Sequence, residues 1–171
     1  MQRRSFLTLA TVSVASAGAL AACGSSGGTG GSYTIGISQY VTHTSLDAAR
    51  DGFKQALKDA GLDVTYDEQN AQADQATVTS IATKFASDDL DLVLAIATPS
   101  AQAVALAVTA TPVLFTAVTD PVAAELVTSL DAPGANVTGT TDMNPVADQI
   151  GLIKKLRPDA TSVGIIYSSG E

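Results

Sequence analysis

Uncharged hydrogen-bonding side chains, with a few carboxylates among them, recur in five short segments of this sequence. Hydroxyl, amide and carboxylate groups gathered on one rim would form a site for a small polar or zwitterionic ligand. The five segments are Ser38, Gln39 and Tyr40 with His43 and Thr44; Glu68, Gln69 and Asn70; Thr98, Pro99 and Ser100; Thr116 to Pro121; and Thr140, Thr141 and Asp142.

The segment Thr98, Pro99 and Ser100 is the most informative of the five. Two hydroxyls that lead into a helix would offer free backbone N–H groups and the positive end of the helix dipole to a ligand carboxylate. Asp120 or Asp142 could then bind an ammonium group. Residues of these types also cap helices and shape turns in α/β proteins, so each has a structural alternative.

Motifs of nucleophilic, metal or phosphate chemistry do not occur in the sequence. It has no Gly-rich phosphate loop, HExxH, CxxC or GxSxG, and His43, the only histidine, has no sequence companion for a triad or a metal site. We therefore predict a binding protein and not an enzyme, without a metal or other cofactor, and interpret His43 as a loop residue.

Alternating apolar strands and amphipathic helices are predicted to position the polar segments. We expect strands at 33–40, 62–66, 92–97, 113–117 and 136–141, and helices at 45–60, 73–87, 101–110 and 121–130. This alternation predicts an α/β fold, a parallel doubly wound sheet with helices on both faces. Ligands of such sheets bind at the carboxyl ends of the strands, where the polar segments fall.

The first residues have the pattern of an export signal. Arg3 and Arg4 precede an apolar stretch, and Leu20, Ala21, Ala22 and Cys23 follow it. This order resembles a bacterial lipobox, in which the cysteine is acylated and becomes the new N-terminus; an ordinary signal peptide with a chance cysteine is the alternative. We predict a signal peptide at 1–22, exported by a Sec or twin-arginine route, a Gly/Ser tether at 23–32, and an anchor on the outer face of the cell membrane.

The charge balance excludes one class of partner. The 9 lysines and arginines are outnumbered by 17 aspartates and glutamates, which gives a formal net charge of −8. No basic stripe is available for nucleic acid, and we predict no nucleic-acid partner. A hydrophobic fraction of 46% suits a packed α/β core.

Several phrases of the sequence, among them QNAQADQA and FTAVTDPV, resemble the ABC transporter substrate-binding family related to tryptophan- and phenylalanine-binding lipoproteins. The resemblance covers nearly everything after Ser32. It implies a type I periplasmic-binding fold, in which two Rossmann-like lobes close around a small solute, an amino acid and possibly an aromatic one, and deliver it to an ABC permease. The positions that match the pocket of the first lobe are Ser38, Gln39, Gln69, Asn70, Thr98, Ser100, Thr116 and Asp120.

The same resemblance implies the domain boundaries. The first lobe is predicted to span 33–142, and 143–171 to begin a truncated second lobe with a hinge at 142–145, a helix at 146–156 and a strand at 163–167. Two other classes of protein fit the same alternation of elements. One is a ligand sensor of the same fold, and the other is an enzyme of Rossmann or flavodoxin-like build.

Overall fold

A computed structural model describes residues 31–166, in which strands and helices alternate as the apolar pattern predicts except between the last two strands. The elements are β1 Ser32–Gln39, α1 Thr44–Asp59, β2 Asp63–Asn70, α2 Gln75–Ser87, β3 Leu92–Ile96, α3 Thr98–Ala107, β4 Val113–Val118, β5 Val137–Thr141 and α4 Val146–Leu156. The predicted signal peptide, Cys23 and Tyr167 lie outside the described residues.

The five strands form one sheet in the order β2-β1-β3-β4-β5, and every neighbouring pair is parallel. This confirms the predicted α/β fold. The chain moves from β1 to β2 on one side and then back across β1 to β3, so the direction of winding reverses between β1 and β3. A cleft at the carboxyl ends of such a sheet is the usual place for a ligand.

One face of the sheet packs against α2 and α3 and holds most of the core. Phe85 and Val78 of α2 are fully buried there, together with Val104 of α3. Phe85 lies over Gly36 of β1, where an added Cβ would come within 3.0 Å of the ring and 2.8 Å of Leu90. Glycine is therefore required at position 36, because a side chain there would occupy the space that the Phe85 ring fills.

The other face of the sheet packs against α1 alone among the helices of the described residues. Ile37 of β1 and Ile96 of β3 are fully buried on this face, with the half-buried Phe53 and Leu57 of α1 packed against them. Neither Thr44 nor Ser45, the two caps considered from the sequence, occupies the N-cap position, because His43 does. Its Nδ1 accepts a hydrogen bond from the backbone N–H of Ser45 at 3.3 Å.

The predicted helix at 121–130 is wrong: the chain forms turns at 121–125 and irregular structure to 130. Glu125 has a φ of 60°, which a helix cannot continue through. The N–H groups of Leu126 and Val127 both donate to the carbonyl of Pro121, which closes the segment on itself. Burial of these two apolar side chains against the α2/α3 core draws the chain inward instead of along a helix axis.

Beyond β5, the helix predicted at 146–156 is present as α4, but the strand predicted at 163–167 does not form in its described part, 163–166. No strand of the described residues lies beside 163–166 to supply a hydrogen-bonding partner, and isolated strands are not stable. Helix α4 buries none of its residues. The boundary between lobes at residue 142 stays a prediction. Within residues 31–166 no helix has the length and hydrophobicity needed to cross a membrane.

Candidate ligand-binding cleft

A cavity of about 770 Å³ opens at the carboxyl ends of β1, β3 and β4. Its volume suits a ligand of amino-acid size or somewhat larger. Three chain segments and one further residue line it: Tyr40 to His43 with Ser45 and Leu46; Ala97, Thr98 and Gln102; Ala117, Thr119, Asp120, Ala123 and Ala124; and Asp142.

Two alanines at the ends of β3 and β4 have backbone angles that favour glycine. The φ angles are 80° at Ala97 and 56° at Ala117, and both residues line the cleft. Pairing of β4 with β5 is irregular between Phe115 and Val118, which places Ala117 in a bulge. Such strain costs about 1–3 kcal/mol per residue and is concentrated at functional sites in proteins. The two strained positions therefore mark this wall of the cleft as a candidate site.

The N-terminus of α3 opens into this cleft without a side-chain cap. Ala97 occupies the N-cap position, and among the described residues no side chain accepts a hydrogen bond from the first turn of the helix. The first helical bond runs from the N–H of Ala101 to the carbonyl of Ala97 at 3.0 Å, so the N–H groups of Thr98 and Ser100 precede the helical ladder. Pro99 has no N–H to satisfy.

The neighbouring chain segments satisfy their own first turns. His43 caps α1, and Asp74 caps α2 by accepting from the hydroxyl and the N–H of Thr77, which lowers the pKa of Asp74. Asp120 accepts from the N–H groups of Val122 and Ala123 at 3.1 and 2.9 Å. The N-terminus of α3, called here its open end, therefore has backbone N–H groups that could bind an external anion.

Two buried serine hydroxyls lie on the α3 side of the sheet. Ser100 belongs to the first turn of α3, and Ser38 is two residues after Gly36, whose Cα faces Phe85. Both are fully buried, and within the described residues neither Oγ has a hydrogen-bond partner. An unpaired buried hydroxyl costs about 1–3 kcal/mol. A polar group bound below the first turn of α3 would recover part of that energy.

The structure separates the eight residues predicted for the pocket into four groups. Thr98 and Asp120 line the cleft, while Ser38 and Ser100 lie buried beneath it. Thr116 is half-buried, and its Oγ1 accepts from the hydroxyl of Thr140 at 3.1 Å. Their contact with a ligand stays a prediction.

The remaining three, the amides Gln39, Gln69 and Asn70, make hydrogen bonds within the protein. Gln69 donates to Asp67, whose pKa is held below its usual value by the Lys84 ammonium. Asn70 donates to the Thr42 hydroxyl at 3.0 Å. None of the three lines the cleft. The structure brings Asn70 to the loop that walls the cleft and places Gln69 on the α2 side of the sheet.

Several lining residues were not singled out from the sequence. Gln102 lies one helical turn after Thr98, and its side chain donates to the carbonyl of Ala124 at 3.2 Å, which joins α3 to the following turn. The i, i+4 spacing from Thr98 could have identified it. Leu46 and Ala123 are apolar, so nothing in the sequence marked them as lining residues, and only the three-dimensional structure places them there.

The carboxylates that line the cleft are not balanced by lysine or arginine side chains among the described lining residues. Asp120 and Asp142 contribute carboxylates, and no lysine or arginine is among the residues that line the cavity in the described part of the chain. A ligand carboxylate would therefore have to be bound by N–H groups and hydroxyls. A ligand ammonium would find an oxygen ligand at either aspartate.

The sequence model of the ABC transporter substrate binding protein family matches residues 34–171. A protein of Clostridioides difficile (strain R20291) named "Tyrosine-binding protein" is 50% identical over 141 residues, which are 80% of this chain and 41% of that protein.

The chain is also similar to solved structures. The ABC domain in complex with L-Trp from Streptococcus pneumonia is 40% identical, has a TM-score of 0.78, and is matched over 82% of this chain and 49% of its own length. A ligand-free, open substrate binding protein with adhesive properties from Clostridium difficile is 48% identical, with a TM-score of 0.70, over 81% of this chain and 48% of its own. This chain thus spans about half the length of the relatives it matches.

Proposed function

The chain belongs to the ABC transporter substrate-binding protein family, and from this membership and the geometry of the cleft we propose that it forms the first lobe of a protein that binds a free amino acid. The second lobe would close over the ligand from the opposite side. Residues 33–142 would form the first lobe and 143–171 the beginning of the second, as the sequence predicts.

The observation that carries this proposal is the N-terminus of α3, which within residues 31–166 has no side-chain cap and lies in a cleft lined by no cationic side chain. An α-carboxylate placed there would accept hydrogen bonds from the N–H groups of Thr98 and Ser100 and interact with the positive end of the helix dipole. Sugars and nucleosides carry no anionic group that this end of a helix could bind. The ammonium group of a zwitterion could bind Asp120 or Asp142, which also line the cleft.

The apolar part of the cleft supports an amino acid with a large side chain. Half-buried Tyr40, Leu46 and Ala117 all line the cleft. Tyr40 packs against the α2/α3 core, whereas Leu46 and the strained Ala117 pack against the core on the α1 side. Aromatic rings pack well against such surfaces, by offset stacking on Tyr40 or by contact with methyl groups. The named ligands of the relatives, tyrosine and L-Trp, agree with this choice.

Delivery to an ABC permease and anchorage through Cys23 complete the proposed function. The Gly/Ser segment 24–32 would let the lobe move above the membrane surface while the lipid retains it. A protein that passes its ligand to a membrane transporter benefits from this arrangement.

One pair of side chains, His43 and Ser45, has a geometry that an enzyme could use. Nδ1 of His43 lies 2.8 Å from Oγ of Ser45 at the edge of the cleft. The same nitrogen, however, caps α1 through the Ser45 N–H, and a base that must accept a proton from the serine cannot be held by the helix end at the same time. We therefore propose binding without catalysis.

A comparison of solute classes tests the proposed function. In a protein that carries this chain with a complete second lobe, we expect a free amino acid at 100 times its Kd to stabilise the folded state by about 2.7 kcal/mol, which raises the melting temperature. Thermal unfolding would be measured with L-tyrosine, L-tryptophan, other amino acids, a nucleoside and a hexose. Stabilisation by the nucleoside or the hexose, with none by any amino acid, would reject the proposal.

A further inference from the structure

Gln39 ends β1 and is only 2% exposed, although it carries a polar amide. Its Nε2 donates to the carbonyl of Val41 at 2.9 Å and to Oδ1 of Asp47 at 2.7 Å. An amide nitrogen has two N–H groups, so both are already in use. No donor of Gln39 is left for a ligand.

The acceptor side of the same amide is also engaged. Oε1 of Gln39 accepts from Nη1 of Arg50 at 3.3 Å. Arg50 in turn lies 2.9 Å from Asp51 and 3.6 Å from Glu68 of β2, and hydrogen bonding to Asp51 raises the pKa of the guanidinium. Gln39 thus joins the end of β1 to the first turns of α1 and, through Arg50, to β2.

The backbone bonded by Gln39 belongs to the loop that walls the cleft. Val41 lies between Tyr40 and Thr42, and all three line the cavity. The hydrogen bond from the Gln39 side chain to the Val41 carbonyl fixes the direction in which the chain leaves β1. The hydrogen bond to Asp47 fixes the position of α1 relative to that segment. Together they hold the segment 40–46, which consists of the loop after β1 and the first residues of α1, at the cavity that Thr98 of α3 also lines.

We propose that Gln39 is a positioning residue that holds the segment 40–46 in its ligand-binding geometry and makes no contact with the ligand. The inference rests on the proposed amino-acid function, because the loop is useful only if the cleft binds one. The strand alternation supports it: Ile37 faces α1, and Gln39, two residues later, points to the same side, whereas Ser38 faces α3.

The test substitutes Gln39→Met, which keeps the length of the side chain and removes all three hydrogen bonds. Gln55→Met is the matched control, since Gln55 is an exposed α1 amide that donates to Asp59 away from the cleft. Hydrogen exchange would be measured in the ligand-free protein and affinity with L-tyrosine, both with a complete second lobe. We expect about 10-fold weaker binding for Gln39→Met, faster exchange confined to 40–46, and no change for Gln55→Met.

The outcomes separate the possible roles of Gln39. Weaker binding without faster exchange at 40–46 would show a direct ligand contact and overturn the proposal, as would unchanged affinity. Faster exchange throughout the sheet would indicate a general structural role and would also overturn it. Should Gln39→Met fail to fold, Asp47→Asn weakens the same contact from the α1 side, and we expect a smaller loss with the same local exchange. If the unsubstituted protein binds no amino acid, the proposed function fails, while the exchange result for the loop still stands.

Discussion

An aspartate in place of Thr98 should strongly weaken amino-acid binding and leave the fold intact. Position 98 is the first residue of α3, where a carboxylate is favourable to the helix by about 0.3–1 kcal/mol. The same carboxylate would occupy the N–H groups that we assign to the ligand and would repel the ligand's own charge. Two like charges about 4 Å apart near a protein surface repel by about 4 kcal/mol, so we expect affinity for L-tyrosine to fall by about 100-fold or more.

Two control variants make this result specific. Thr98→Asn keeps the size of the aspartate without its charge and should weaken binding far less. Thr109→Asp adds the same charge at an exposed position beyond the opposite end of α3 and should leave the affinity unchanged. Calorimetric titration of the three variants, with thermal unfolding to verify the fold, gives the comparison. Equal losses for Thr98→Asp and Thr109→Asp would remove the α3 N-terminus from the site.

The sheet was predictable because its strands carry near-continuous apolar runs, as buried parallel strands do. Leu92–Ile96 and Val113–Val118 both fall within one residue of the predicted bounds. Helix α3 begins at Thr98, three residues before its predicted start, because Pro99 suits the first turn of a helix and the sequence interpretation treated it as a loop residue. The wrong helix at 121–130 has the opposite cause, since tertiary burial of Leu126 and Val127 outweighed local helical preference.

The cleft was predictable only in part. The rule that ligands bind at the carboxyl ends of strands located Thr98 and Asp120 on its lining. It could not say which way a polar side chain at a strand end points, and Gln39 and Ser38 lie on opposite faces of the sheet. Strict alternation from the buried Ile37 would have revealed this. The positive φ angles of Ala97 and Ala117 have no signal in the sequence, because alanine normally avoids them.

Replacing Cys23 with serine should release the protein from the membrane without altering the lobe. The proposed anchor depends on acylation of one thiol, which a serine hydroxyl does not replace, and stable anchorage needs two or more acyl chains or a second signal. Net charge cannot provide the second signal, since a formal −8 is repelled by anionic lipids. We expect nearly all of the Cys23→Ser protein in the soluble fraction when cells are fractionated.

Ser25→Ala, two residues further along the tether, is the matched control and should remain in the membrane fraction. Both variants should show the melting temperature of the unsubstituted lobe, because positions 23 and 25 precede β1. Retention of the Cys23→Ser protein in membranes at unsubstituted levels would contradict the lipid anchor and favour an uncleaved export signal.

The central claim is that the open end of α3 binds the carboxylate of an amino acid, and a paired calorimetric titration tests it most directly. A protein that carries this chain and a complete second lobe would be titrated with L-tyrosine and with tyramine, which has the same ring and ammonium group but no carboxylate. We predict saturable binding of L-tyrosine and at least 100-fold weaker binding of tyramine, since loss of a charged hydrogen-bonded group leaves the N–H groups of Thr98 and Ser100 unpaired. Equal affinities for the two compounds would contradict the claim.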